Sequence, residues 1–258
     1  NPAWGGHRRA GTPNLARPHA AHPLPDEAAD VVVIGGGVVG ACLAYELSRA
    51  GLLTLVVERD DVNLQASGSN AGSLPVQLLS FDFGAKAEAG GGPAAATLPL
   101  GPWAVELWED LAKACGNDFE IRRTGGLMVA SSEDGLAFLE AKAALERAHG
   151  IDAHIIGRDD LRRLAPALSP ALIGAEYVAD EGKINPLTAT YSVMAQAKQR
   201  GARLRRSADV TALERQGNGW SVTTSRGPIR CGTVINAAVT WAGPVAALAG
   251  LNVPVHSA

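Results

Sequence analysis

The chain has 258 residues, 47% hydrophobic and 19% charged, an ordinary composition for a globular protein with a real core in one large α/β domain or two smaller ones. Lysine and arginine number 23 against 26 aspartates and glutamates; the net charge of −3 excludes the basic footprint that a nucleic-acid partner calls for. No apolar run reaches membrane-span length, and the three cysteines, Cys42, Cys115 and Cys231, form no C-x-x-C pair, which argues against a zinc site or disulfide framework; no metal is expected.

Residues 1–29 are rich in Pro, Ala, His and Arg, lack apolar periodicity and lack the hydrophobic centre of a secretory signal. They are expected to form a disordered tail, with His7, His19 and His22 solvated rather than ligating metal. Residues 30–58, DVVVIGGGVVGACLAYELSRAGLLTLVVE, carry the clearest signal in the chain. The run Val31 to Ile34 predicts a strand, the apolar pattern after the glycines a helix, and Leu52 to Val57 a second strand that stops at Glu58. Gly35, Gly37 and Gly40 stand at G-x-G-x-x-G spacing between strand and helix, where that spacing has a mechanism. The first glycine permits the tight turn, the second lets backbone approach a pyrophosphate, and the third lets the helix pack close on the strand. Val38 and Val39 open the helix, whose unpaired N–H groups and positive dipole end face the phosphates. Glu58 lies 18 residues beyond Gly40, where a carboxylate is placed to accept ribose hydroxyls.

Ala66 to Ser73 is a dense run of small and polar residues, ill suited to a core but suited to close backbone approach to a flat ligand; its Ser and Asn also suit a helix N-cap. Residues 84–99 are low in complexity and read as a mobile loop. Ala104, Leu107, Trp108, Leu111 and Cys115 share one helix face, and Trp103 and Trp108 are expected in the core; Cys42 and Cys115 read as small buried hydrophobes. Phe119 to Ala130 reads as strand material interrupted at Gly125-Gly126, 133–149 as a helix, IDAHII as a strand, RDDLRRL as a short helix and ALIGAEYVA as a strand. Pro186 opens a helix running to Arg200. RLRR, DVTALERQ, WSVTTS and PIR are short strands with turns between them. TVINAAVTWAGPVAALAGL then repeats the opening order of strand, small residues and helix, and its strand can return to the parallel sheet beside the first.

These pieces resemble one family. The glycine motif with Glu58, ASGSNAGS at 66–73, DEGKINP at 180–186, DVTAL at 209–213 and VINAAVTWAG at 234–243 are similar, in this order, to FAD-dependent amino-acid oxidases and dehydrogenases of the D-amino-acid oxidase-like group. That group includes glycine oxidase, sarcosine oxidase and D-amino-acid dehydrogenase. The stretch SNAGSLPVQLLSFDFG looks closer to the flavin subunits of octopine or nopaline oxidase and hydrogen cyanide synthase. The resemblance covers residues 30–250. It implies an α/β fold, α+β overall: a Rossmann-like FAD-binding domain with a parallel sheet, formed by 30–84 and 164–258. An antiparallel-sheet substrate domain, 85–163, is inserted in it and incomplete at the C-terminus.

The resemblance also implies roles. Gly35, Gly37 and Gly40 hold the FAD pyrophosphate, and Glu58 the adenosine ribose with Arg59 alongside. Ser67, Gly68, Ser69, Asn70, Ala71, Gly72 and Ser73 run past the isoalloxazine ring. Val210 meets the adenine through its backbone, its other reading being an ordinary buried strand position, while Ala237, Ala238 and Trp241 close over the ADP portion. The family's A-x-G-x-W stands here as Ala237-Ala238-Val239-Thr240-Trp241, with Val239 in the glycine slot, so binding there is weaker or the loop sits differently. Family members continue past this chain with further substrate-domain strands and a last glycine-rich FAD segment, so no catalytic residue is nominated, and His256 reads as part of a frayed end. The implied activity is oxidation of the C–N bond of an amino acid or secondary amine by hydride transfer to flavin. An inactive FAD-binding fragment or partner-dependent subunit is the alternative; a NAD-dependent dehydrogenase is a third reading, against which the run at 66–73 argues. The expected partners are a small amino-acid or amine substrate and, by likeness to multi-component oxidases, other oxidase subunits. The expected location is cytoplasmic, with peripheral attachment to the inner membrane as the variant.

Overall fold

The computed structural model describes residues 28–79 and 92–255; most of the expected tail, part of the low-complexity loop and His256 lie outside them. Strand β1 (Ala28–Ile34) leads into helix α1 (Val38–Arg49) and strand β2 (Thr54–Val57), the expected opening unit. Ala28 and Ala29, assigned from sequence to the tail, join β1 because Arg230 and Cys231 pair with them. A two-residue strand β3 (Ser73–Leu74) follows, then a helical turn α2 (Gly92–Ala95), helix α3 (Leu100–Cys115), strand β4 (Gly126–Ala130) and helix α4 (Glu133–Ala148). Next come β5 (Ala153–Gly157), α5 (Arg158–Leu164), β6 (Gly174–Val178), β7 (Gly182–Lys183) and α6 (Pro186–Gln199). The chain closes with β8 (Arg203–Arg205), β9 (Val210–Gln216), β10 (Gly219–Thr224), β11 (Gly227–Asn236), a 3₁₀ turn (Val239–Trp241) and α7 (Ala242–Ala247).

The main sheet runs β8-β2-β1-β11-β10-β9. Its first four strands are parallel, and the last three form an antiparallel meander. β1 is apolar on both faces, as a central parallel strand must be: Val31 and Val33 pack with α1 and α6 on one side, Val32 and Ile34 with Leu213, Val222 and Ile229 on the other. α6 begins as its sequence dictates, with Pro186 at the first turn and the Asn185 side chain accepting the Leu187 N–H at 2.9 Å. A separate antiparallel sheet has the order β4-β6-β5, and β3 pairs with β7. The central strand of the three, β6, follows residue 163 in the chain. The architecture is therefore mixed α/β, a parallel-rich sheet beside separate antiparallel sheets.

Three local expectations need correction. PIR and TVIN are one continuous ten-residue strand, β11, whose first half pairs with β10 and which runs parallel to β1 along most of its length. α3 buries Val105 and Ala112, with Trp108 packed edge-on against Phe119 at 6.2 Å, so the buried face is rotated away from Ala104 and Leu107, and Trp103 is 58% exposed. In the 119–130 region a strand forms only from Gly126 onward, because Phe119 and Glu120 take positive φ. Among the described residues no helix is long and apolar enough to cross a membrane, and no group of three or more His, Cys, Asp or Glu is placed to hold a metal.

Candidate dinucleotide site

The carboxyl ends of β1, β2 and β11 meet where the chain turns out of each strand. Gly35 N–H donates to Val57 O at 2.9 Å, and Ala237 N–H donates to Ile34 O at 2.8 Å. Between these ends lies a cavity of about 330 Å³. Of the residues singled out from sequence, Gly35, Gly37, Glu58, Arg59, Ser67, Val210, Ala237, Ala238 and Trp241 line it. Sequence reasoning missed the apolar walls Val57, Ala208, Val245 and Leu248, along with Asp209 and Thr240. Val57, Asp209 and Thr240 are chain neighbours of residues singled out from sequence, whereas Val245 and Leu248 come from the helix and turn that follow.

The glycine turn is tied to its surroundings by three backbone donors. Gly36 N–H donates to Glu58 Oε2 at 2.6 Å, Asp60 N–H to Glu58 Oε1 at 2.9 Å, and Val38 N–H to Ser67 Oγ at 3.0 Å. Each Glu58 oxygen keeps a second lone pair for a hydroxyl donor. Gly37, the N-cap of α1, has no side chain to cap it, and Ser67 Oγ takes the first helical N–H in its place. Gly40 faces inward: a Cβ there would overlap the Gly35 carbonyl oxygen, so its absence lets α1 seat on the turn.

The run 66–73 forms turns, not the N-cap of a following helix. Asn70 closes it, its Nδ2 donating to Ala66 O and Ser67 O at 2.9 Å and its Oδ1 accepting Gly72 N–H at 2.8 Å. Gly72 has φ +71°, and a Cβ there would overlap Ile184 O, so this tight approach is to the chain's own backbone. Val38, Val39, Gly40 and Gly68 to Ser73 lie off the cavity lining.

On the opposite wall the Arg59 guanidinium sits 4.6 Å from the centroid of the Trp241 ring. Val239, in the family's glycine slot, has φ +46°, so the backbone keeps the left-handed turn although the residue is β-branched. The thiols take no part in the site: burial pushes Cys42 and Cys231 up to about 11.

The arrangement fits an ADP group. The glycine turn beside the start of α1 could hold a pyrophosphate, the carboxylate at the end of β2 a ribose, and the apolar walls Val57, Ala208, Val210, Val245 and Leu248 an adenine.

A parallel sheet with a glycine turn at this position and this cavity beside it defines a dinucleotide-binding protein. The chain belongs to the DAO family of FAD dependent oxidoreductases, which matches residues 30–258, and its cofactor is FAD. It is 31% identical over 257 residues to hydrogen cyanide synthase subunit HcnC of Pseudomonas aeruginosa, covering 88% of this chain and 61% of that protein. It is 28% identical over 240 residues to mitochondrial dimethylglycine dehydrogenase of Mus musculus, covering 92% of this chain and 26% of that protein. The crystal structure of glycine oxidase from Geobacillus kaustophilus has the same fold, with a TM-score of 0.78 at 24% identity over 89% of this chain and 60% of its own. The chain thus spans about three fifths or less of the length of these relatives.

Proposed function

We propose that this chain is the FAD-holding part of an oxidase or dehydrogenase that oxidises the C–N bond of an amino acid or secondary amine. The observation that carries the reading is the convergence of Gly35, Gly37, Glu58, Arg59 and Trp241 on one cavity at the strand ends. The names of dimethylglycine dehydrogenase and glycine oxidase supply the substrate class.

In this reading the glycine turn and the N-terminal end of α1 would hold the pyrophosphate, and Glu58 would orient the ribose while still holding Gly36. Val210 and the apolar walls would exclude water from the adenine, with Arg59 and Trp241 beside it as a stacked pair. Ser67 Oγ couples the α1 terminus to the run Gly68 to Ser73, which leads away from the cavity and would run past the flavin ring. The chemistry FAD supplies when bound is acceptance of a hydride from the carbon bearing the substrate nitrogen, leaving an imine that water hydrolyses. The inserted antiparallel unit belongs to the same reading, with its far boundary moved beyond Val178 because β6 pairs there with both β4 and β5. HcnC is named as a subunit, which supports association with further subunits; a cytoplasmic or inner-membrane-peripheral location belongs to the same proposal.

The test is reconstitution of the full chain with FAD, followed by desalting and addition of glycine, sarcosine or dimethylglycine with a dye acceptor. Retained flavin absorption and amine-dependent dye reduction are expected. Protein that emerges without flavin, or retains NAD instead, overturns the reading.

A further inference from the structure

Away from the cavity, the interior beneath the three-stranded sheet holds a charged group no part of the proposed function uses. Lys142 and Glu146 on α4 and Glu176 on β6 are all 0% exposed. The Lys142 ammonium donates to Glu146 Oε1 at 2.6 Å and to Glu176 Oε2 at 2.7 Å, so two carboxyl groups share one cation. Their remaining oxygens, Glu146 Oε2 and Glu176 Oε1, are buried with no donor. Two carboxylates on one ammonium leave a net negative charge where water cannot reach, and orphaned acceptors there carry a penalty as well. A single proton placed between the two glutamates removes both difficulties: one carboxyl donates to the other, and the three residues become neutral as a set.

The same group holds a strap of backbone. Leu78 N–H donates to Glu146 Oε1 at 2.6 Å, and Val76 N–H and Gln77 N–H donate to Glu181 Oε1 at 2.6 Å each. Gln77 joins the two carboxylate positions, its Oε1 accepting from Lys142 at 3.4 Å and its Nε2 donating to Glu181 Oε2 at 3.0 Å. The residues paired with Glu176 across the sheet, Met128 and Ile155, are apolar. Glu181 lies beside the set through Gln77, and Arg147, next to Glu146 on α4, donates to the Ala153 carbonyl of β5 at 2.8 Å.

We infer that Glu146 and Glu176 share one buried proton, with Lys142 as counter-cation, and that this set is a pH-sensitive latch on the Leu78 end of the strap Val76–Leu78. Burial, and then the hydrogen bond to Glu146, raise Glu176 to about 7, so the shared proton leaves near neutrality. Glu176 is fixed on the central strand by ladders on both sides, whereas Glu146 lies in the last turn of α4. Repulsion after deprotonation therefore displaces Glu146, the carboxylate that holds Leu78.

The test uses the full chain as purified. Infrared difference spectra between pH 6 and pH 8 should show a protonated-carboxyl stretch that bleaches as the pH rises through about 7, and Glu176→Gln should lack it. Hydrogen exchange at the Leu78 amide, corrected for intrinsic rates, should report opening that grows by up to about tenfold per pH unit from 4.5 toward 7 and levels off above it in the wild type, and stays flat in Glu176→Gln. Absence of the stretch in the wild-type protein at pH 6 overturns the shared proton, whether or not the variant folds. A Leu78 profile that is flat in the wild type, or identical in the two proteins, overturns the latch.

Discussion

The Gly36 amide donates to the Glu58 carboxylate at 2.6 Å, so the acid at the end of β2 holds the glycine turn at the end of β1 before any ligand arrives. One side chain therefore holds the turn's shape and, in the proposed function, would present the ribose acceptor. Glu58→Ala removes both. With a charged hydrogen bond contributing about 1.5–3 kcal/mol, the Kd for FAD should rise roughly 10- to 150-fold, read by quenching of FAD fluorescence on titration. An unchanged Kd would take Glu58 out of the site.

Gly40→Ala places a methyl group into the Gly35 carbonyl oxygen. The helix must move off the turn, and overpacking of this kind costs about 1–3 kcal/mol. Thermal melts should show a lower Tm, together with weaker FAD retention because the α1 terminus shifts. A Tm equal to the parent's would mean that the helix seats without needing glycine.

Val239→Gly acts in the opposite direction. The left-handed backbone at φ +46° is unfavourable for a β-branched residue by roughly 1–2 kcal/mol, and glycine removes most of that strain, although it adds unfolded-state entropy. The urea midpoint should rise or hold, whereas Val239→Ile should leave it low. A clear fall with glycine would contradict the strain.

Lys142→Met leaves two buried glutamates without their cation, and breaking such a set costs about 3–5 kcal/mol. The pH dependence follows from Glu176, raised from 4.5 to about 7. The folded chain keeps a proton that the unfolded chain releases, so this contribution is full below 4.5 and is lost as pH rises toward 7. The slope is about 1.4 kcal/mol per pH unit for one proton. Urea midpoints measured across that window should fall in the wild type and not in Glu176→Gln.

Cys42 and Cys231 are pushed up to about 11, so almost none of either thiol ionises at pH 8. A thiol-disulfide reagent should react with both only after denaturant is added. Rapid labelling of Cys231 in the native chain would show that the meander opens readily.

The opening β1–α1–β2 unit was legible because every signal in it is local: a β-branched run, spaced glycines, a helical period and an acid at the right distance. The late half of the cavity, Val210 and Ala237 to Trp241, was reached through resemblance, since nothing in those residues alone points back to Gly35. Other features depend on neighbours remote in sequence. β11 runs straight through Gly232 because Trp220 pairs with Cys231 on one side and Thr233 with Val31 on the other. The i,i+4 spacing of Lys142 and Glu146 does not say which way they face; their burial depends on Glu176, on a strand remote in sequence. Trp103 looked like core, yet the helix rotates on Val105 and Ala112 and leaves it outside.

The pairing of β1 with β11 also fixes a timetable for the chain as it leaves the ribosome. Ile34 finds its partner Asn236 only after some two hundred further residues have been made. At ordinary elongation rates that is roughly 10–40 s during which β1 has only its β2 flank to lean on. A nascent chain in this interval exposes one long apolar strand edge, so slowed synthesis or a stall before residue 236 should favour aggregation over a waiting, half-built fold.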